Sequence, residues 1–404
     1  MIFLGLGRLA RFAGYEPPRA MAVVGGNQID DVKTFSYDSD VLQLGDPVSF
    51  RIANVDGQYN GKLNIGDSLE FYPRDPDVAN GIPIRSLKGL VTKIERTSDF
   101  EGGTQMTVTG ADLGWHLTNN SAPLWKNLRG ITFDSLLEKL IDPSWGIVGV
   151  RDGNVGNRTI RQGRQAPEVQ IVAGGTVHTV AQWIVVEPGE MVADLIMRYA
   201  RRFRLLVNVS QDGYLQVWSP DYSQAPSYAF HHHALTDSDR RLNNVKKAKL
   251  IESIDGVFTD LTCVGTKVIP DQADNAGKGG PAGPVGPSFG HFRGDFHAEA
   301  LPFVRRNIFT DSEPFGSDGA LQRARWRYER GIFDSWTLEY EVTGHSQNGR
   351  FYVPDTMCEV HDSVHNVFGN YYISAVRLER DQEKNGGTRA RITIKRPNLL
   401  AGGL

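Results

Sequence analysis

The chain has 404 residues, 40% of them hydrophobic and 23% charged, ordinary globular usage that excludes a disordered chain and a disulfide-stapled miniprotein. Its 44 Lys and Arg against 47 Asp and Glu leave a formal net charge of -3, which excludes the whole-chain basic field behind non-specific nucleic-acid coating. Forty-four glycines and 20 prolines favour turns and short strands, and two cysteines, Cys263 and Cys358, are too few for a disulfide framework and read as reduced buried thiols.

At roughly 150 residues per domain, two or three domains are expected. Residues 1–16 form an N-terminal arm in which Met1–Gly7 is apolar and Arg8 and Arg11 follow, the reverse of a signal peptide's charge order. No run approaches the ~18 apolar residues of a membrane-spanning helix. The chain is therefore expected to be made in the cytosol. Gly5-Leu6-Gly7-Arg8-Leu9-Ala10 matches the G-x-G-x-x-A dinucleotide turn, but no βαβ unit follows it.

Residues 17–117 read as a first β-domain, opened by the alternation of Val48, Phe50 and Ile52. Residues 118–244 read as an inserted α+β domain. Within it, Phe133, Leu136, Leu137, Leu140 and Ile141 form one helical stripe between a Thr132 cap and Pro143. A second helix is expected from Glu190 to Phe203, with Val192, Leu195, Ile196 and Tyr199 on one face. A hairpin of Leu205–Val209 and Tyr214–Trp218 about Asp212-Gly213 follows.

Residues 245–397 read as a second β-domain. It carries a long Gly/Pro-rich loop at 271–297, whose part from Ala276 to Gly290 is expected to hold neither ladder nor helix. A helix at 318–330 is expected to end at Gly331 as its C′ residue. Residues 398–404 are a tail.

The two β-domains share an internal repeat. Asn60-Gly61-Lys62-Leu63-Asn64-Ile65-Gly66-Asp67-Ser68-Leu69 aligns with Asn348-Gly349-Arg350-Phe351-Tyr352-Val353-Pro354-Asp355-Thr356-Met357. Glu95-Arg96, Gly102-Gly103-Thr104 and Val108-Thr109 recur as Glu379-Arg380, Gly386-Gly387-Thr388 and Ile392-Thr393. Leu338, Tyr340 and Val342 repeat the alternation of Val48, Phe50 and Ile52. Each copy would contain at least four antiparallel strands, a small barrel or sandwich.

Several short motifs suggest chemistry, and each has a plainer reading. Gly286-Pro287-Ser288-Phe289-Gly290 matches the G-x-S-x-G nucleophile elbow, but the residues before it cannot form the strand an elbow needs. Cys358, His361 and His365 have a spacing that could supply three zinc ligands, against a polar strand-end turn. His231-His232-His233 reads as a polar linker, with metal binding or pH sensing as the sharper alternative. Arg198, Arg201, Arg202 and Arg204, and Arg323, Arg325, Arg327 and Arg330, could contact phosphates; cations near helix C-termini explain them as well. Arg293-Gly294-Asp295 reads as a chance tripeptide. No carboxylate pair or Cys/His couple is placed for acid–base work, so no catalytic, cofactor-binding or metal residue is assigned and an enzyme is not expected. Rival readings are a cell-wall glycan hydrolase using Ser288, or a carbohydrate- or receptor-binding β-module using Trp125 and Trp145.

Val108-Thr109-Gly110-Ala111-Asp112-Leu113, then Leu117-Thr118-Asn119-Asn120-Ser121-Ala122-Pro123, the helix after Pro188-Gly189-Glu190, the Asp212-Gly213 hairpin and the arginine-rich helix before Trp336 together resemble one family. The chain, from Pro17 to Pro397, is similar to baseplate hub proteins of contractile-tailed bacteriophages, in particular the Mu-like tail proteins related to the late-control protein D group. The resemblance implies a β-rich α+β multidomain chain with two tube-like β-barrel domains, assembled as a homotrimeric ring in the virion's tail baseplate. It also implies tail tube, central spike, wedge and tape-measure proteins as partners, with DNA passing through the channel and no specific nucleic-acid binding. Two similar barrels in each of three chains would give six near-equivalent units, adapting a six-fold tube to a three-fold spike.

Overall fold

The computed structural model describes residues 20–30, 32–99, 103–123, 133–152, 172–173, 176–177, 186, 188–202, 205–265, 288–293, 303–311, 316–381 and 387–397. These fall into two units. Unit one is built from the described residues of Met1–Ala200, Leu205–Leu250 and Leu338–Pro397, and unit two mainly from those of Ile251–Thr337.

The chain enters unit one with β1 (Ala20–Val24), β2 (Asn27–Ile29), β3 (Val32–Asp40), β4 (Pro47–Ala53), β5 (Ser68–Pro73), β6 (Leu87–Asp99) and β7 (Gly103–Asp112). Helices α1 (Gly114–Asn119) and α2 (Phe133–Leu140) follow, then the short strands β8 (Val150–Asp152), β9 (Val172–Ala173) and β10 (Thr176–Val177). Next come α3 (Val192–Arg202), β11 (Leu206–Val209), β12 (Leu215–Trp218), β13 (Tyr228–His232) and β14 (Val245–Glu252). Unit two contributes β15 (Asp260–Gly265), β16 (Ser288–Arg293), β17 (Arg306–Asp311) and α4 (Gly316–Ser335). The chain then runs through β18 (Trp336–Thr343), β19 (Ser346–Gln347), β20 (Arg350–Phe351), β21 (Thr356–Asp362), β22 (Val367–Asp381) and β23 (Gly387–Lys395).

Most strands of unit one join a single 13-stranded sheet in the order β14-β18-β23-β22-β3-β4-β7-β6-β5-β1-β2, with β21 on β22 and β13 on β21. Two runs within it have the same antiparallel topology: β4-β7-β6-β5 and β18-β23-β22-β21. The registers correspond in detail. Val48 faces Gly110 as Leu338 faces Ile394, and Leu90 faces Ala111 as Tyr372 faces Lys395. Each long strand bulges once at the same step, between Val91 and Lys93 in β6 and between Ile373 and Ala375 in β22. A bulge bends its strand and sharpens the local twist, so a shared bulge means a shared curvature.

Alternation drives both copies. Val48, Phe50 and Ile52 are buried, as are Leu338, Tyr340 and Val342, while the residues between them are only half-buried. The ladder corrects the sequence alignment within the long strands. Glu95 faces Thr107 and Arg377 faces Arg391, which makes Arg377, not Glu379, the counterpart of Glu95. The slip is two residues and therefore keeps every side chain on its face. In the same way Cys358 stands where Leu69 stands, both fully buried opposite the long strand.

The expected α2 stripe forms, with Phe133, Leu136, Leu137 and Leu140 buried and Ile141 half-buried; Thr132 lies outside the described residues. Helix α3 starts at Val192, two residues later than expected, because Met191 is bridged to Ser121 and the Val192 N–H donates to Asn120 O at 2.9 Å. The β11–β12 hairpin closes as expected, and β8 adds to β12 in parallel.

Unit two corrects two expectations. Ser288–Arg293, inside the supposed loop, is a strand paired antiparallel with β15, while β17 pairs parallel on the other edge. The rest of the loop up to Pro287 lies outside the described residues. The helix expected over 318–330 runs Gly316–Ser335 and passes through Gly331. A Cβ at Gly331 would sit 2.4 Å from the Gly256 carbonyl oxygen, so this glycine permits a close backbone approach and does not cap the helix. Leu261, Cys263, Ala320 and Ala324 are fully buried, with Phe258, Phe309 and Tyr328 packed on them.

Candidate functional site

The two repeated runs of the sheet are joined by one strand. Residues Ala375–Arg380 of β22 pair with β23 along one edge and with Asp40–Phe35 of β3 along the other. Earlier in the same strand that second edge belongs to β21, up to Ile373. β3 in turn pairs with β4, so the backbone ladder of the second copy continues into the first.

Charge reinforces the seam. Arg377 Nε lies 3.3 Å from Asp38 Oδ1 and 2.7 Å from Glu379 Oε1, and Glu379 also takes Arg389 Nε at 2.5 Å and Arg391 Nη2 at 3.6 Å. Burial pushes the Asp38 carboxyl up and the Arg377 guanidinium opposes it. Glu379 is only 7% exposed, so its arginines compensate a charge held largely out of water. Away from the strands, Ser346 Oγ donates to Asp75 Oδ2 at 2.9 Å, a second link between the copies.

The first copy carries the same edge without the same neighbour. On β6, Gly89 and Leu90 have β5 beside them, but from Lys93 onward the strand pairs only with β7 among the described residues. Lys93, Glu95, Arg96, Thr97 and Ser98 are exposed there. At the far end of the sheet order, β14 pairs with β18 as β3 pairs with β4. Lys246, Lys247 and Lys249 are exposed on it; Lys247 Nζ reaches Glu341 and Lys249 Nζ reaches Glu339, each at 3.7 Å. Among the described residues these two ladder edges have no further strand on them, and edges of this kind recruit another strand.

A second cluster lies at the margin where β13 runs parallel to β21, with His231 opposite His361 and His232 opposite Asp362. Alternation sends the pairs to opposite faces. On one face the His231 and His361 rings stack at 4.9 Å and 3°, with His233 5.9 Å from His231. Burial lowers the His231 pKa, helped by His361 and His233. On the other face Asp362, fully buried, accepts from His232 Nδ1 at 3.1 Å, His365 Nδ1 at 2.8 Å and Tyr340 OH at 2.8 Å. It also accepts from the backbone N–H of Val364 and of His365. Burial pushes the Asp362 carboxyl up, but the backbone and ring hydrogen bonds of His365, with Tyr340, outweigh it and hold it low. Ligand atoms of His232, Asp362 and His365 all lie within 4.8 Å of one another.

The sequence grouping of Cys358, His361 and His365 is thereby taken apart. Cys358 faces the core and burial pushes its thiol up; His361 is an odd number of residues along the same strand and points the other way. His361 stacks on His231 instead, and only His365 of the three joins the Asp362 set, with Asp362 and His232 as partners. His231 and His232 end β13 and His233 follows it, so the first two of the triplet belong to a strand and not to a linker. The sequence offered one signal for this set, the Asp362-x-x-His365 spacing beside a histidine run, but strand pairing was needed to bring it together.

The remaining motifs resolve individually. Ser288 opens an antiparallel strand opposite Gly265, so the strand-to-helix elbow its motif requires is not formed. Gly5 to Ala10, Trp125, Arg204, Gly294 and Asp295 lie outside the described residues. Arg198 pairs with Glu190 at 3.1 Å, Arg325 with Glu329 at 3.0 Å and Arg330 with Asp334 at 2.7 Å. Arg201 and Arg323 lie over the Trp326 ring and Arg327 over Phe309. Trp145 is half-buried, stacked on His116 at 5.7 Å. No helix among the described residues is long and apolar enough to cross a membrane.

No family model matches the chain, and no curated protein matches it. Solved structures do share its fold. A tail protein from Neisseria meningitidis MC58 superposes with a TM-score of 0.70 at 18% identity, covering 95% of this chain and 98% of that one. The 43 kDa tail protein of prophage MuSo2 from Shewanella oneidensis gives 0.68 at 19% identity, covering 94% and 99%. An Escherichia coli component of the type VI secretion system, described as structurally similar to the T4 bacteriophage tail proteins gp27 and gp5, gives 0.54 at 12% identity, covering 95% and 78%. The fold is thus the β-rich fold of phage tail proteins.

Proposed function

We propose that this chain is the structural hub of a contractile phage tail baseplate, a homotrimeric ring that adapts a six-fold tail tube to a three-fold central spike. The observation that carries the reading is the seam between β22 and β3. The same half-strand edge recurs on β6, and the same flanking strand recurs as β14. If β14 of one chain lies on the Lys93–Ser98 edge of the next, the intramolecular junction is repeated between molecules.

Three chains then carry six four-stranded runs joined by six like junctions, three within chains and three between them. Such head-to-tail contacts close into a ring when the rotation per step is right. Closure covers both exposed edges, which is the strongest remedy for strands that invite aggregation. In this reading the domains at 17–117 and 245–397 are the two tube-like barrels. Wedge, tape-measure and spike proteins are the partners of this reading, with residues 118–244, the loop and α4 as candidate docking segments. The channel passes DNA without gripping it, in keeping with the net charge of -3.

A photo-crosslinking amino acid at Glu95 tests the contact. The expected product is an inter-chain adduct whose peptide lies in Val245–Leu250, with a covalent trimer as the largest species. Adducts confined to the same chain, or none, would overturn the junction.

A further inference from the structure

We propose that His232, Asp362 and His365 form a binding site for one divalent transition-metal ion, which staples β13 to the margin of the sheet. The three residues come from separate places: the end of β13, the end of β21 and the turn that follows it. The carboxylate is the floor, with no exposed side-chain surface, and the two imidazoles form the mouth, with 20% and 23% of their side chains exposed. An ion can therefore enter from solvent and find its anionic ligand already desolvated.

The distances suit coordination. Each imidazole Nδ1 lies 3.1 Å or 2.8 Å from a different oxygen of Asp362. Ligands about 2.0–2.2 Å from an ion, the range for imidazole nitrogen and carboxylate oxygen on zinc, are themselves about 3 Å apart when adjacent. The ion would take the place of the two shared hydrogens, each neutral ring carrying its proton on Nε2 instead, and the Asp362 carboxylate would offset one of the ion's two charges.

The rest of the cage is in place. Tyr340 OH and the backbone N–H groups of Val364 and His365 hold the carboxylate from behind, the outer support that fixes a metal ligand's orientation. Two imidazoles with one carboxylate favour Zn2+, Co2+ or Ni2+ over Mg2+ or Ca2+, which take oxygen donors. The site's role follows from where it lies. Among the described residues β13 joins the ladder of the sheet through its parallel partner β21 and is held besides by hydrogen bonds to Gln347 and Asn244; the ion would add a cross-link between the ends of the two strands.

The test uses the full chain, stripped with a chelator and titrated with Zn2+, and with Co2+ read by its visible absorption. One ion per chain is expected, with a rise in the melting temperature. His232→Gln and His365→Gln should each weaken binding at least tenfold, while His361→Gln, on the opposite face, leaves it unchanged. Asp362→Asn should also abolish binding, but it disturbs a buried hydrogen-bond centre, so the two histidine variants decide. No bound ion, or Zn2+ affinity equal in wild type, His232→Gln and His365→Gln, would show that the cluster is a hydrogen-bonded centre only and overturn the proposal.

Discussion

Asp112 ends β7 fully inside the protein, its Oδ1 accepting the Gly114 N–H at 2.7 Å while its own N–H donates to Asp46 O at 3.0 Å. Burial pushes its carboxyl up to about 7, and burial together with the charge of Asp112 raises Asp46 as well. The sign follows from linkage. A raised acid holds its proton more firmly when folded, so its contribution is complete below the unfolded value near 4 and is lost as pH rises through about 7. Asp112→Asn stays neutral throughout. Relative to that variant, wild-type stability measured in urea should fall by roughly 1–4 kcal/mol between pH 4 and pH 7.5. A difference that does not change with pH would contradict the assignment. Nothing in the sequence marks Asp112 as buried; it is one more acid at the end of an alternating run, and only packing shows its surroundings.

At the scale of elements, local patterns were readable and long-range ones were not. The apolar faces of β4, β18, α2 and α3 are written in their alternation or their three-four spacing, and each forms. The parallel pairings of β8 with β12 and of β13 with β21 leave no local trace, because each partner is chosen from far along the chain. The Glu-Arg recurrence misled by two residues because a displacement of that size preserves faces and hence the hydrophobic pattern. Gly331 misled for another reason: glycine after a helical run reads equally as a stop or as a point of contact. Helix α4 resolves this, and a prediction follows. Alanine in an exposed helix interior is ordinarily better than glycine by about 1 kcal/mol, yet Gly331→Ala should destabilise by roughly 1–3 kcal/mol as its Cβ meets the Gly256 carbonyl. Equal or greater stability in chemical denaturation would refute the close approach.

At the scale of the whole molecule, the repeated topology matters more than any one residue. Two runs share the same strand order and the same bulge step and are joined by one internal seam, which the proposed ring would repeat between copies. The sequence disclosed the repetition through its spaced glycines and alternating strands. It could not disclose the seam, because β3 and β22 are separated by most of the chain and neither carries a sign of the other.

Mass photometry or native mass spectrometry of the purified full chain at micromolar concentration addresses that claim most directly. The ring account expects a species of three times the chain mass that persists on dilution; a stable monomer would contradict it.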